Sequence, residues 1–261
     1  MLDLTIYLFA GAVAGLTAGL FGVGGGLVVV PVLLLVFAVQ GVEPTVATHL
    51  AIGTSMATVL ITGASSAYSH YRLGAVDFPV FLRLAAGMAL GGIIGALAAG
   101  LLPGDTLQRI FGLFLFSVSA YLLSGWQPPR QDRRGNGDLP VAGTAIGTLS
   151  GMMGVSGGTM TVPYLVWRGL LMHRAVGTSA LGALPLGLVG TATYLAVGWG
   201  HPDLPGKATG YVYWPAFFGI VAASAVVSRY AARLAHRVPA RRLRQLFAGF
   251  LMLVALRLLL T

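Results

Sequence analysis

Long apolar runs separated by short polar stretches organise the chain. Residues 4–39 form a first apolar block of 36 residues, interrupted at Gly22-Val23-Gly24-Gly25-Gly26. One continuous helix of that length would rise about 54 Å, far beyond a hydrocarbon core of roughly 30 Å. The block must therefore break or fold back, and two short helices meeting at the glycines are predicted. Three further blocks cover about residues 46–68, 78–100 and 107–123, and a polar stretch follows. Residues 139–171 then repeat the broken block, and blocks over about 176–199, 212–227 and 243–260 complete the chain. None of them alternates with period two, as transmembrane barrel strands do. The pattern predicts an all-α polytopic membrane protein of about eight hydrophobic blocks in two four-block repeats, with the first block of each repeat broken or re-entrant.

The repeat can be followed residue by residue. Gly22 to Gly26, followed by Pro31, returns as Gly154-Val155-Ser156-Gly157-Gly158 followed by Pro163, at an offset of 132 (22 to 154, 31 to 163). Gly11, Gly15 and Gly19 map to Gly143, Gly147 and Gly151 at the same offset. His49, Gly53, Thr54 and Ser55 map to His173, Gly177, Thr178 and Ser179 at an offset of 124. Gly74, Val76, Pro79 and Phe81 map to Gly210, Val212, Pro215 and Phe217 at 136, as do Leu107 and Phe111 to Leu243 and Phe247. Residues 1–126 thus read as a first transmembrane repeat, 127–138 as a polar linker and 139–261 as a second repeat. If each broken block crosses the membrane once, corresponding loops of the repeats share a side. If it crosses twice, each repeat has an odd count and the two are inverted. The loop charges do not separate these cases.

Composition sharpens the class. The chain is 56% hydrophobic and 9% charged, with a mean hydropathy of +0.85, whereas a soluble chain carries about 25% charged residues. Met1-Leu2-Asp3 offers no positive n-region, so residues 4–21 are expected to be a retained span and not a cleaved signal. With no cysteines, disulfides, thiolate metal sites and cysteine nucleophiles drop out. The net charge of +9 fits basic loops obeying the positive-inside rule, and it also suits an anionic substrate. The six arginines between positions 229 and 244 place that loop in the cytoplasm. Nucleic acid is a poor partner, because the basic residues flank membrane segments and lack interleaved aromatics.

The chemistry lies in the repeated motifs. Three consecutive glycines cost too much helix propensity to serve packing alone. Unwound backbone at membrane depth is tolerated where it lines a cavity, and the helix after it presents free N–H groups and the positive end of its dipole to an anion. Gly22, Gly24, Gly25, Gly26, Gly154, Ser156, Gly157, Gly158 and Thr159 are the expected substrate-binding residues, with Pro31 and Pro163 limiting or kinking the half-helices. Thr54, Ser55, Thr178 and Ser179 add neutral donors suited to oxyanions. His49 and His173 are candidates for proton coupling. Gly11, Gly15 and Gly19 read as packing residues. All seven acidic residues lie at block edges or in loops. That argues against an acid-lined cation path, a metal site or an intramembrane protease. The glycine run departs from a dinucleotide loop at Leu27, and no ATP-binding loop or other cofactor motif occurs.

These residues resemble the TauE/SafE permeases, the sulfite exporter-like group. The carriers are the glycine run with Pro31, His49 through Gly53-Thr54-Ser55, and their repeats at Gly154–Gly158, Pro163 and His173 through Gly177-Thr178-Ser179. The likeness covers nearly the whole chain, and the second half departs from it at Ser156. It implies a multi-pass protein of the bacterial inner membrane that moves small anions, often sulfur oxyanions or organosulfonates such as sulfite, and is not an enzyme. The sequence expectation is a secondary transporter holding its anion between the two glycine breaks near the midplane. A non-transporting scaffold subunit and a passive anion channel are the alternatives. The anion, the direction, the coupling ion and the existence of a homo-oligomer stay open at this stage.

Overall fold

The computed structural model describes residues 2–21, 25–126, 137–235 and 240–260. Backbone in lipid must satisfy its own hydrogen bonds, which leaves helices as the solution for these apolar segments. Ten helices form among the described residues: α1 (Leu2–Phe21), α2 (Gly26–Val39), α3 (Pro44–Arg72), α4 (Phe78–Leu101), α5 (Gly104–Ser124), α6 (Leu139–Met153), α7 (Gly158–Trp167), α8 (Met172–Val197), α9 (Trp214–Ala235) and α10 (Ala240–Leu260). Between α8 and α9, β1 (Ala208–Thr209) and β2 (Val212–Tyr213) pair antiparallel, an element the hydrophobic pattern does not announce. Helices α3, α4, α5 and α8 are each long and apolar enough to cross a membrane. Leu82, Leu113 and Leu188 on their outer faces are more than half exposed, which suits lipid and not water.

Each broken block folds back on itself. Near the start of α1, Tyr7 donates its hydroxyl hydrogen to Gln40, the residue closing α2, at 2.6 Å. Asp138, which caps α6, accepts from the Tyr164 hydroxyl at 2.9 Å and pairs with Arg168, which closes α7. Both ends of each block therefore lie on one side. Helix α7 has ten residues and rises about 15 Å, half of a roughly 30 Å hydrocarbon core. Neither proline ends its helix. Helix α2 continues through Pro31 to Val39, and α7 through Pro163 to Trp167. Each proline deletes one i→i−4 bond, and packing carries the helix past it.

Close backbone approach fixes the arrangement. The main packed pairs are α4 on α6, α1 on α9, α3 on α8 and α5 on α10. A Cβ on Gly87, Gly91 or Gly95 would lie 2.1 Å from the carbonyl oxygen of Pro140, Thr144 or Thr148 respectively, so α4 and α6 run parallel in backbone contact. Gly143, Gly147 and Gly151 return the contact against Leu84, Met88 and Gly92. Gly11 and Gly15 meet Ile220 and Ser224 on α9 in the same parallel sense. Such small-residue stripes are what lets helices associate in lipid. By contrast, α3 and α8 are antiparallel, since Gly63 faces Ala183 while Gly190 faces Met56. Helices α5 and α10 are antiparallel as well: Gly112 faces Leu259, and Ser119 donates to the Ala248 carbonyl at 2.7 Å. Leu50, Ile52, Met56, Leu84, Met88 and Leu186 are fully buried at the centre.

Candidate functional site

The Gly-Thr-Ser segments turn out to be docking points for crossing backbone. A Cβ on Gly53 would stand 2.2 Å from the Tyr211 carbonyl oxygen, and one on Gly177 would stand 2.2 Å from that of Ala75. One residue on, Thr54 Oγ1 accepts the backbone N–H of Tyr213 at 2.9 Å, and Thr178 Oγ1 accepts that of Asp77 at 3.0 Å. Tyr213 and Asp77 immediately precede α9 and α4, so each threonine pins the entry of a helix. Ser55 donates to the Gly154 carbonyl at 2.7 Å. Thr54, Ser55, Thr178 and Ser179 are all buried. The hydroxyls expected to face an anion are, at Thr54, Ser55 and Thr178, engaged with the protein's own backbone.

The two breaks meet. A Cβ on Gly26 would lie 2.7 Å from the Gly154 oxygen and 3.4 Å from Ser55 Oγ. Gly25 precedes α2 with right-handed backbone (φ −69°) and accepts the N–H groups of Val28 and Val29. Gly22 and Gly24 lie outside the described residues. The second break turns at two left-handed glycines, Gly154 (φ 68°) ending α6 and Gly157 (φ 75°) starting α7, a backbone that a side chain would strain. No side chain caps α7 at Gly157.

Around that uncapped helix start lie three hydroxyl oxygens, buried and without a hydrogen-bond partner: Ser150 Oγ, Thr159 Oγ1 and Thr161 Oγ1. Ser150 and Thr161 have no exposed surface, and Ser150 Oγ is 3.1 Å from where a Gly157 Cβ would be. Buried polar groups are nearly always paired; Thr159 and Thr161, two apart on α7, face different sides of it, and Ser150 is the hydroxyl set against Gly157. Ser156 is buried within the break. At the repeat offset, Ser150, Ser156, Thr159 and Thr161 correspond to Ala18, Gly24, Leu27 and Val29. That comparison is the signal by which Ser150 could have been found. Gly158 and Thr159 also line a cavity of about 540 Å³ between α5, α7 and α8.

The two histidines differ. His49 is 4% exposed; its Nε2 donates to the Ala99 carbonyl at 3.0 Å, its ring stacks on Tyr211, and its Nδ1 has no partner. His173 is exposed in the first turn of α8. The Asp138–Arg168 pair was not anticipated. Arg168 is 5% exposed and corresponds to Val36 at the repeat offset. Among the described residues no cluster of His, Cys, Asp and Glu could hold a metal ion.

Known proteins share this chain's sequence over nearly its whole length. Residues 7–258 match the family described as sulfite exporter TauE/SafE. A "Probable membrane transporter protein" of Haemophilus influenzae is 34% identical over 255 residues, covering 97% of both chains. YunE of Bacillus subtilis, of the same description, is 27% identical over 218 residues, covering 76% of this chain and 80% of its own. A third such protein, from Methanocaldococcus jannaschii, is 27% identical over 193 residues, 73% of this chain and 71% of that one. With its apolar spans and its match from end to end, this chain belongs to the sulfite exporter TauE/SafE family and is a membrane transporter, not an enzyme.

Proposed function

We propose that this protein is a secondary transporter of small anions, sulfur oxyanions or organosulfonates such as sulfite, across the bacterial inner membrane. The family description names sulfite export, and the substrate is carried to this chain on that likeness. The observation that carries the site is the unpaired buried hydroxyl of Ser150 against Gly157, at the uncapped start of α7, with the unpaired Thr159 hydroxyl in that helix's first turn. Oriented N–H groups and neutral hydroxyls hold an anion without the trapping strength of a fixed cation. Gly26 and Ser55 close the site from the first break. Residues 1–126 and 139–261 act as two repeats related by an axis in the membrane plane. The antiparallel packing of α3 on α8 and of α5 on α10, which are equivalent helices at the repeat offsets, supports that relation. Proton coupling falls to His49, whose buried Nδ1 has no partner, or to His173, exposed at the start of α8.

Flux into proteoliposomes of labelled sulfite, sulfate, thiosulfate and acetate tests this, with and without an imposed pH gradient. Anion-selective, gradient-driven accumulation is expected, reduced at least tenfold in a Ser150→Ala, Thr159→Val double variant. Either His49→Gln or His173→Gln is expected to flatten its pH dependence. Passive equilibration without accumulation would make the protein a channel. No flux from folded protein would leave a scaffold role.

A further inference from the structure

We infer that the cavity between α5, α7 and α8 is the open access route to the second glycine break, and that its repeat-equivalent between α10, α2 and α3 is a second route, closed in this structure. This rests on the transporter reading above. The cavity holds about 540 Å³ and reaches Gly158 and Thr159 at its inner end. Tyr121, Leu122 and Met172 line it too, close to where α5 ends and α8 begins. It therefore runs from one membrane side to the uncapped start of α7.

Moving the lining by the repeat offsets gives the counterpart. Thr159 and Val162 become Leu27 and Val30, and Val176 becomes Ile52. The α5 and α10 walls match at Phe114 and Phe250, both half-buried, and at Ser117 and Leu253, both exposed, and the main difference in packing lies along α7 and α8 against α2 and α3. Met160, Val162, Pro163 and Val176 are half-buried and Met172 is exposed, whereas Leu27, Val28, Val30 and Ile52 are at most 1% exposed and Thr48 is 2%. The contrast extends along the paired helices to exposed His173 against buried His49. Two inverted repeats in identical conformations would give matching surfaces on opposite sides. Here the α7–α8 side is open and the α2–α3 side shut, which is an asymmetry that exchange of repeat conformations reverses in alternating access. The chain contains no cysteine, so it is a ready background for labelling.

Single-cysteine proteins Val162→Cys and Val30→Cys, near-isosteric and equivalent, are treated with a charged, membrane-impermeant thiosulfonate in right-side-out and inverted membrane vesicles. Leu122→Cys and Leu258→Cys form a second pair in case either first variant fails to fold. At rest, Val162→Cys is expected to react from one face only, at least tenfold faster than Val30→Cys from either face. Under a saturating gradient of transported anion, Val162→Cys should slow and Val30→Cys should react from the opposite face. Equal rates for the pair, or reaction of Val162→Cys from both faces, would overturn the inference. So would reaction of Val162→Cys with a lipid-soluble maleimide alone, which would make the cavity a lipid-facing groove. Measured flux with symmetric labelling would remove this inference and leave the transporter. One-sided resting labelling without flux of any tested anion would remove the proposed substrate and leave the open route.

Discussion

At the scale of single residues, hydroxyls in the same repeated motif do different work. Thr54 and Thr178 each accept a buried backbone N–H. Their replacement by valine leaves that donor stranded, at about 1–3 kcal/mol each. Thr54→Val and Thr178→Val should lower thermal stability in detergent, and the serine variants should restore most of it. Ser150→Ala and Thr159→Val remove hydroxyls that bond nothing, so their melting temperatures should stay within a degree or two of the parent while flux falls. Equal destabilisation in both groups would mean that Ser150 and Thr159 are structural. The glycines divide in the same way. A Cβ on Gly25 meets nothing nearer than 3.6 Å, whereas one on Gly26 meets the Gly154 oxygen at 2.7 Å and the Val155 Cα at 2.9 Å. Gly25→Ala should fold normally, and Gly26→Ala should lose on the order of 2 kcal/mol, separable by one thermal melt of each. Sequence could locate the threonines as paired but not say what they hold, because their partners lie 159 and 101 residues away. Repeat position says that two residues are equivalent. It does not say whether they touch substrate or backbone.

At the scale of elements, helix α7 is held at its end by a polar anchor. Ten residues form a marginal helix in isolation, and its closing residue, Arg168, is nearly fully buried. Asp138 pairs with that arginine and accepts from Tyr164. Partial burial raises the Asp138 pKa, but the Tyr164 hydroxyl, its own backbone N–H and the Arg168 charge outweigh this and hold it below the usual carboxylate value. A depressed folded-state pKa gives stability that is present above the unfolded value and lost as pH falls through the folded one. The gap in melting temperature between the parent and Asp138→Asn should therefore be constant from pH 7 to about pH 5 and narrow only in stronger acid. The variant should cost roughly 2 kcal/mol, because it removes the carboxylate charge from a buried guanidinium, with Asp138's own partial exposure holding the figure down. A gap that closed by pH 6 would refute the pairing. Helix breaks were legible in the sequence because runs of glycine carry a known propensity cost. The return of each broken block to its starting side was one of two alternatives the sequence left open. That return rests on Tyr7 with Gln40 and on Asp138 with Arg168, pairs that no period or spacing connects. Pro31 and Pro163 stand inside helices that run on past them, because a helix already packed on its neighbours tolerates the loss of one backbone bond.

At the scale of the whole molecule, the two halves have one pattern and two packings. A shared sequence pattern on opposite sides of a membrane should give matching surfaces unless the molecule has settled into one of two exchangeable states. Such states need differ by only a few kcal/mol, so a modest change in either wall should shift their balance. Leu122 lines the open cavity and is half-buried, and its equivalent on α10, Leu258, is buried in the core. Phenylalanine at position 122 extends into the cavity. It should leave melting temperature unchanged or raise it, and should cut flux at least tenfold by holding the open route filled. Phenylalanine at position 258 enters a packed wall, where overpacking costs about 1–3 kcal/mol. It should lower the melting temperature and favour the state in which that wall opens, so that labelling of Val30→Cys increases in the same protein. Thermal melts, flux and labelling on the two variants together separate a molecule with two exchangeable walls from one with a fixed groove. In a fixed groove, Leu122→Phe would leave transport untouched, and Leu258→Phe would destabilise the fold without exposing Val30.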